Sequence, residues 1–171
     1  MTDNRNTNIL RITYGAVIAA IYVVLTVLFA PISFGPMQVR IAEMMMILPM
    51  FTPAAVPGLF IGCIIANMLG GAIALDVIFG SLATLIGAWG GYLLRRNRWL
   101  VPIPPILSNA LIVPFVLKYA YAVPLPIPFM MLTVCIGEVL GCGVLGILLA
   151  KVIQRYPSLR TGFAINKNGQ E

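Results

Sequence analysis

From Ile12 to Ala30 the sequence carries no charged side chain, and further apolar runs follow, each closed by proline, glycine or a basic cluster. This succession constrains the fold more than any motif, because a segment surrounded by lipid must satisfy its backbone hydrogen bonds internally, as a helix does. A spanning helix takes about 20 mostly apolar residues. The punctuation predicts six spans, over residues 12–30, 39–51, 54–69, 75–94, 105–119 and 129–153. Pro31 and Pro36 close the first, Gly70 and Gly71 the third, and Arg95, Arg96 and Arg98 the fourth. Pro114 falls inside the fifth and predicts a kink there.

Water is not the main solvent of such a chain. Of its residues 60% are hydrophobic and 9% charged, against roughly 25% charged in a soluble domain. One transmembrane domain over residues 1–171, with short tails, is the expected organisation. The run after Arg5 and Arg11 exceeds the usual h-region of about 7 to 15 residues, so it reads as a permanent span rather than a cleaved signal. The formal net charge of +6 comes from residues at helix ends and tails, not from a basic stripe interleaved with aromatics, so it reads as a topology signal and not as a nucleic-acid surface. Arg5, Arg11, Arg95, Arg96, Arg98, Lys151, Arg155, Arg160 and Lys167 all fall on one side when the chain crosses six times with both termini cytoplasmic. A five-crossing alternative puts the basic C-terminal tail outside and is disfavoured.

Catalytic signatures are missing. Cys63, Cys135 and Cys142 sit inside apolar runs, and an odd number of cysteines with no histidine makes neither a disulfide framework nor a zinc site, so they read as small core residues. No G-x-x-x-x-G-K-[ST] phosphate loop, G-x-S-x-G or H-E-x-x-H occurs. The chain is expected to be no enzyme and to carry no metal or other cofactor. Gly58 with Gly62, Gly87 with Gly91, and Gly137 with Gly141 are spaced to let helices approach closely, and Gly15, Ala16, Ala19 and Ala20 smooth one face of the first span. The glycine pairs read as internal packing. On the terminal first helix the small stripe can equally dock a second membrane protein.

Charges inside a membrane cost about 2.5 to 3.5 kcal/mol each on insertion scales, so those retained are functional candidates. They are Arg40, Glu43, Asp76, Lys118 and Glu138. Arg40 and Glu43 share a helical face and permit a local ion pair. Asp76 and Lys118 lie near span ends and can be merely interfacial. Glu138 has no cation within a turn of it, so another helix or a ligand should meet it. With Asn67 and Asn109 these residues all fall in the outer half of the predicted bundle, and acceptors of this kind suit a polar planar molecule with several N–H donors. Phe34, Phe115, Tyr119, Tyr121 and Phe129 lie toward the same side, either covering such a molecule or forming an ordinary interfacial belt.

Several stretches carry a family resemblance: Ala30-Pro-Ile-Ser-Phe-Gly-Pro-Met-Gln-Val-Arg-Ile-Ala-Glu43, the proline-rich Leu48 to Gly62, Asp76-Val-Ile-Phe-Gly-Ser-Leu-Ala-Thr84, Pro104 to Val113, and Gly137-Glu138. Together they resemble the QueT family, substrate-binding S components of energy-coupling factor (ECF) vitamin transporters associated with queuosine precursors. The resemblance implies an all-α fold, a compact bundle of six transmembrane helices in a prokaryotic plasma membrane. It implies capture of a 7-deazaguanine such as preQ1, preQ0 or queuine from outside. Import would then require a transmembrane coupling subunit and two cytoplasmic ATPases, with Ala16 and Ala20 docking the coupling subunit and the loaded S component toppling in the membrane. The candidate substrate-binding set, taken from the outer polar cluster above, is Glu43, Glu138, Asp76, Arg40, Asn67, Asn109, Lys118 and Phe34. A carboxylate, Glu43 or Glu138, can accept two parallel bonds from the N1–H and exocyclic amine edge of a deazaguanine, while an aminomethyl cation would want a second carboxylate such as Asp76. Intramembrane acids also keep open a stand-alone permease driven by an ion gradient. An assembly subunit with no ligand would leave Glu138 unexplained.

Overall fold

The structure is a computed structural model describing residues 2–33 and 40–156. Phe34, Val39, Arg160 and Lys167 lie outside the described residues. Helix α1 spans Thr2–Leu28 and α2 is a single turn, Ala30–Ser33. A 3-10 helix covers Ile41–Met50, followed by α3 (Ala55–Leu69), α4 (Ala74–Leu93) and α5 (Ile103–Tyr119). The last span is continuous: α6 (Ile127–Glu138), a π-helical stretch (Val139–Leu145) and α7 (Gly146–Arg155). The protein is thus an all-α membrane bundle of six helices with α2 as a small appendage.

Among the described residues, three segments are individually long and apolar enough to cross a bilayer: Thr7–Leu28, Ala74–Leu93 and Ile127–Arg155. Helices α3 and α5 are shorter, reaching roughly 23 to 26 Å at 1.5 Å per residue. The second segment departs most from expectation. An α-helix over 39–51 was the simplest reading of that apolar run, but the chain forms ten residues of 3-10 helix containing Pro49. At about 2.0 Å per residue this helix is roughly 20 Å long, shorter than the hydrocarbon core. It packs against the π-helical stretch, α7, α4, α1 and α3, and so occupies the middle of the bundle. The first helix differs as well. Its regular part begins before the apolar run and ends at Leu28, ahead of Pro31, which sits inside the following turn.

Around this centre the remaining helices follow chain order, α1 against α3, α3 against α4, α4 against α5 and α5 against α6. Small residues set those contacts. A Cβ on Gly58 would stand 2.6 Å from the Gly15 carbonyl oxygen, one on Gly62 3.0 Å from Ala19 Cα, and one on Gly87 2.6 Å from Pro105 Cα. The α1–α3 and α4–α5 pairs therefore meet backbone to backbone, as glycine permits in a membrane. The tight α3–α4 connection needs a glycine for a different reason, since Gly71 adopts φ +73°. Tyr22, Met46, Ile47, Leu59 and Met130 fill the interior, while Ile12, Val24, Ile86, Leu107, Leu132 and Leu148 face outward.

The two ends of the bundle differ in charge. Arg98 Nη1 donates to Gln154 Oε1 at 3.3 Å, joining the α4–α5 connection to the end of α7. Arg11 lines a groove with Pro53 and Pro57, and Trp99 lines one with Lys151. The opposite end carries the α3–α4 and α5–α6 connections, which Tyr121 joins by accepting a hydrogen bond from the Ile73 N–H at 3.2 Å.

Candidate functional site

Two irregular helices face each other at the heart of the bundle, one carrying Glu43 and the other beginning directly after Glu138. The 3-10 helix starts just after Arg40 and presents Glu43 in its first turn. The π-helical stretch follows directly after Glu138 and contains Cys142. Gly141 permits their approach, because a Cβ there would lie 3.0 Å from the Arg40 carbonyl oxygen and 3.3 Å from Glu43 Cβ. Single π-turns within helices recur at functional sites.

The resulting polar cluster is sealed from the surroundings. Glu43 is 1% exposed, Glu138 5%, Asn109 4% and Asn67 0%. Tyr22 donates its hydroxyl to Glu43 Oε1 at 2.6 Å. Asn109 donates through Nδ2 to Glu138 Oε1 at 2.9 Å. Cys142 stands between the carboxylates, its Sγ 3.1 Å from Glu138 Oε2 and 3.8 Å from Glu43 Oε2. Glu43 and Glu138, distant in sequence, therefore converge on one thiol.

A second group of polar atoms surrounds Cys63. Its sulfur receives Thr84 Oγ1 at 3.3 Å, Asn67 Nδ2 at 3.6 Å and Arg40 Nη1 at 3.8 Å. Asn67 Oδ1 is buried with no hydrogen-bond partner among the described residues. Buried unpaired acceptors cost about 1–3 kcal/mol, so a ligand donor is a natural complement. The missing side chain of Gly80 lets Asp76 and Asn67 pack against α4, since a Cβ there would lie 2.9 Å from Asp76 Oδ1 and 3.4 Å from Asn67 Nδ2. Asp76, 3% exposed, accepts the Tyr121 hydroxyl through Oδ2 at 3.0 Å. Partial burial pushes the Tyr121 phenol up, so it remains a donor at neutral pH.

Of the residues singled out in the sequence, Arg40, Glu43, Asn67, Asp76, Asn109 and Glu138 are all buried. Asn109 bonds Glu138 directly, Glu43 and Glu138 meet through Cys142, and Arg40 and Asn67 meet through Cys63. Lys118 is not drawn in; its Nζ donates to the Leu125 carbonyl at 3.3 Å and holds the α5–α6 connection. Phe34 lies outside the described residues. Phe115, Tyr119 and Phe129 are 45%, 75% and 50% exposed, on the outer surface and not over the cluster. Of the aromatics named from the sequence, Tyr121 reaches it, through Asp76.

Sequence reasoning passed over Tyr22, Cys63, Cys142 and Thr84. Cys63 and Cys142 are buried as expected, Cys135 only partly, yet the two buried ones bridge polar groups instead of filling apolar space. Tyr22 and Thr26, four residues apart on α1 and both 0% exposed, were the available signal: a polar pair on one helical face.

Glu43, Glu138 and Cys142 place one ligand atom each within 4.8 Å of the others, a spacing a cation could use. Tyr22 and Asn109 already direct hydrogen-bond donors at those carboxylates, and Arg40 brings positive charge to the same cluster. We assign no metal to it; carboxylate oxygens in this arrangement can accept hydrogen bonds from N–H donors.

On the outside of α1, Ala16 and Ala20 are exposed while Ile18 and Ala19 are buried. Ala16 lines an apolar groove of about 460 Å³ with Ile12, Gly15, Pro57, Gly58 and Ile61.

The family model described as QueT transporter matches residues 12–155. A protein of Lactococcus lactis subsp. cremoris (strain MG1363) named Queuosine precursor transporter QueT is 40% identical over 73 residues. That alignment covers 42% of this chain and 43% of the relative, less than half of either. No solved structure matches the chain.

Proposed function

The chain belongs to the QueT transporter family, and from that premise we propose that it is the substrate-capture subunit of an ECF-type importer for a queuosine precursor. It takes a 7-deazaguanine such as preQ1, preQ0 or queuine from outside the cell. Transfer inward depends on a transmembrane coupling subunit and two cytoplasmic ATPases. The chain lies in a prokaryotic plasma membrane with both termini cytoplasmic; the basic groups gathered at one end of the bundle support that orientation.

One observation carries the reading: two buried carboxylates from different helices converge on Cys142, at 3.1 and 3.8 Å. Such a pair is expensive in lipid unless something satisfies it. A deazaguanine presents an N1–H and amine edge to one carboxylate and, in preQ1, an aminomethyl cation to another acid. Asn67 Oδ1 adds a further acceptor, and Arg40 supplies donors for the ring carbonyl. Ala16 and Ala20 on the outward face of α1 offer the coupling subunit a smooth surface.

Thermal melting of the purified chain with saturating preQ1, preQ0 and queuine tests this. At least one should raise the melting temperature, and Glu43→Gln or Glu138→Gln should reduce that rise while the protein stays folded. No rise with any of the three contradicts the reading. The same buried acids favour a second reading, a permease that works alone on an ion gradient. Uptake in cells lacking every ECF ATPase would favour the permease over the capture subunit.

A further inference from the structure

The carboxylate oxygens of Glu43 and Glu138 outnumber the side-chain donors that serve them. Their four oxygens meet three donor side chains among the described residues: Tyr22 O–H on Glu43 Oε1, Asn109 N–H on Glu138 Oε1, and the Cys142 thiol between the two remaining oxygens. A thiol has one proton and can donate to one of those oxygens at a time. The other is left facing a second carboxylate in a sealed, low-dielectric interior. Two carboxylates sharing a site do not both ionise without a counter-charge.

The charged and titratable groups around the pair come from every packed element. Tyr22 bonds it from α1 and Cys142 from the π-helical stretch, Arg40 stands at the start of the 3-10 helix against Cys63 of α3, and Asp76 on α4 lies farther out beside Tyr121. Asn109 on α5 is neutral. Arg40 is the single cation in this set, and one guanidinium balances one carboxylate. The second carboxylate is left without a counter-charge in this set.

We infer that Glu43 and Glu138 form a charge-selecting element in which the bound cargo's positive charge replaces one proton, so that a cationic deazaguanine is captured with release of H⁺. This rests on the proposed capture function and adds to it the charge class of the ligand. The balance is simple. The site loses one proton to solvent and gains one ammonium group, so its net charge stays the same and no unpaired charge is left in the membrane interior. A neutral analogue brings no cation, so the proton stays.

Isothermal titration calorimetry of the purified chain in two buffers of different ionisation enthalpy reads the proton count directly. The probes are preQ1, whose aminomethyl arm is protonated at neutral pH, and preQ0, whose nitrile is neutral. About one proton released with preQ1 and about none with preQ0 is the expected result. The affinity for preQ1 should then rise roughly tenfold per pH unit across the neutral range, while that for preQ0 stays flat. In Glu138→Gln the binding should weaken and the released proton disappear, because the amide has no proton to give up. Persistence of the release in that variant would show that it does not depend on the two acids together and overturn the inference. Measurable preQ1 binding with no proton exchange in the unaltered protein overturns it too, without disturbing the capture function. Failure to bind any deazaguanine removes the capture function itself and this inference with it.

Discussion

Tyr22 on α1 gives its hydroxyl hydrogen bond to Glu43 on the central 3-10 helix at 2.6 Å. Both side chains are almost completely buried, at 0% and 1% exposure. The helix whose outer face carries Ala16 and Ala20 is thereby tied, through its inner face, to the acid at the middle of the cluster. Removing the hydroxyl leaves a carboxylate oxygen without its donor. Tyr22→Phe should weaken deazaguanine binding by on the order of tenfold, about 1.4 kcal/mol. Calorimetric titration of the folded variant checks this.

Gly58 has no spare room, its hypothetical Cβ standing 2.6 Å from the Gly15 carbonyl oxygen, whereas the equivalent atom on Gly143 meets a Val139 methyl at an ordinary 3.8 Å. Gly58→Ala should therefore destabilise by about 1–3 kcal/mol as α1 and α3 are pushed apart. Gly143→Ala should leave the melting temperature nearly unchanged. A thermal melt of the two variants side by side gives the comparison.

The apolar runs and their proline, glycine and arginine punctuation made the six-helix bundle legible, because length and hydropathy are local properties. What escaped was the internal geometry of two segments. Nothing in Ile41–Met50 or Val139–Leu145 distinguishes 3-10 or π winding from α by composition; close packing at Gly141 against Arg40 and Glu43 belongs to the tertiary structure. The acids were legible because charge in a membrane is costly wherever it sits. Their partners were not, since Tyr22 meets Glu43 across 21 residues and Cys142 approaches it across 99. Cysteine is also ordinary in apolar runs, so its place between two carboxylates leaves no mark in the local pattern.

Cys142 gives a steric test of the cluster. Serine keeps a small donor between the carboxylates, whereas leucine fills the space with hydrocarbon and leaves both acids without it. Cys142→Ser should retain binding within about tenfold, and Cys142→Leu should lose at least about a hundredfold, near 2.7 kcal/mol. Titration of both variants with preQ1 reads the difference.

Ala16 and Ala20 are exposed on α1 and away from the acids. Under the proposed division of labour, Ala16→Trp and Ala20→Trp should each cut uptake in cells by more than about tenfold, since bulk on a small-residue face prevents close helix approach. Ligand binding by the purified variants should stay unchanged. Uptake and binding falling together would mean that α1's outer face belongs to the ligand site.

The central claim is that Glu43 and Glu138 together hold a donor-rich small molecule. Calorimetric titration of the folded double variant Glu43→Gln/Glu138→Gln with preQ1, beside the unaltered protein, addresses it most directly. The account predicts saturable one-to-one binding in the unaltered protein and a loss of at least about a hundredfold in the double variant. Equal affinity in the two proteins would contradict it.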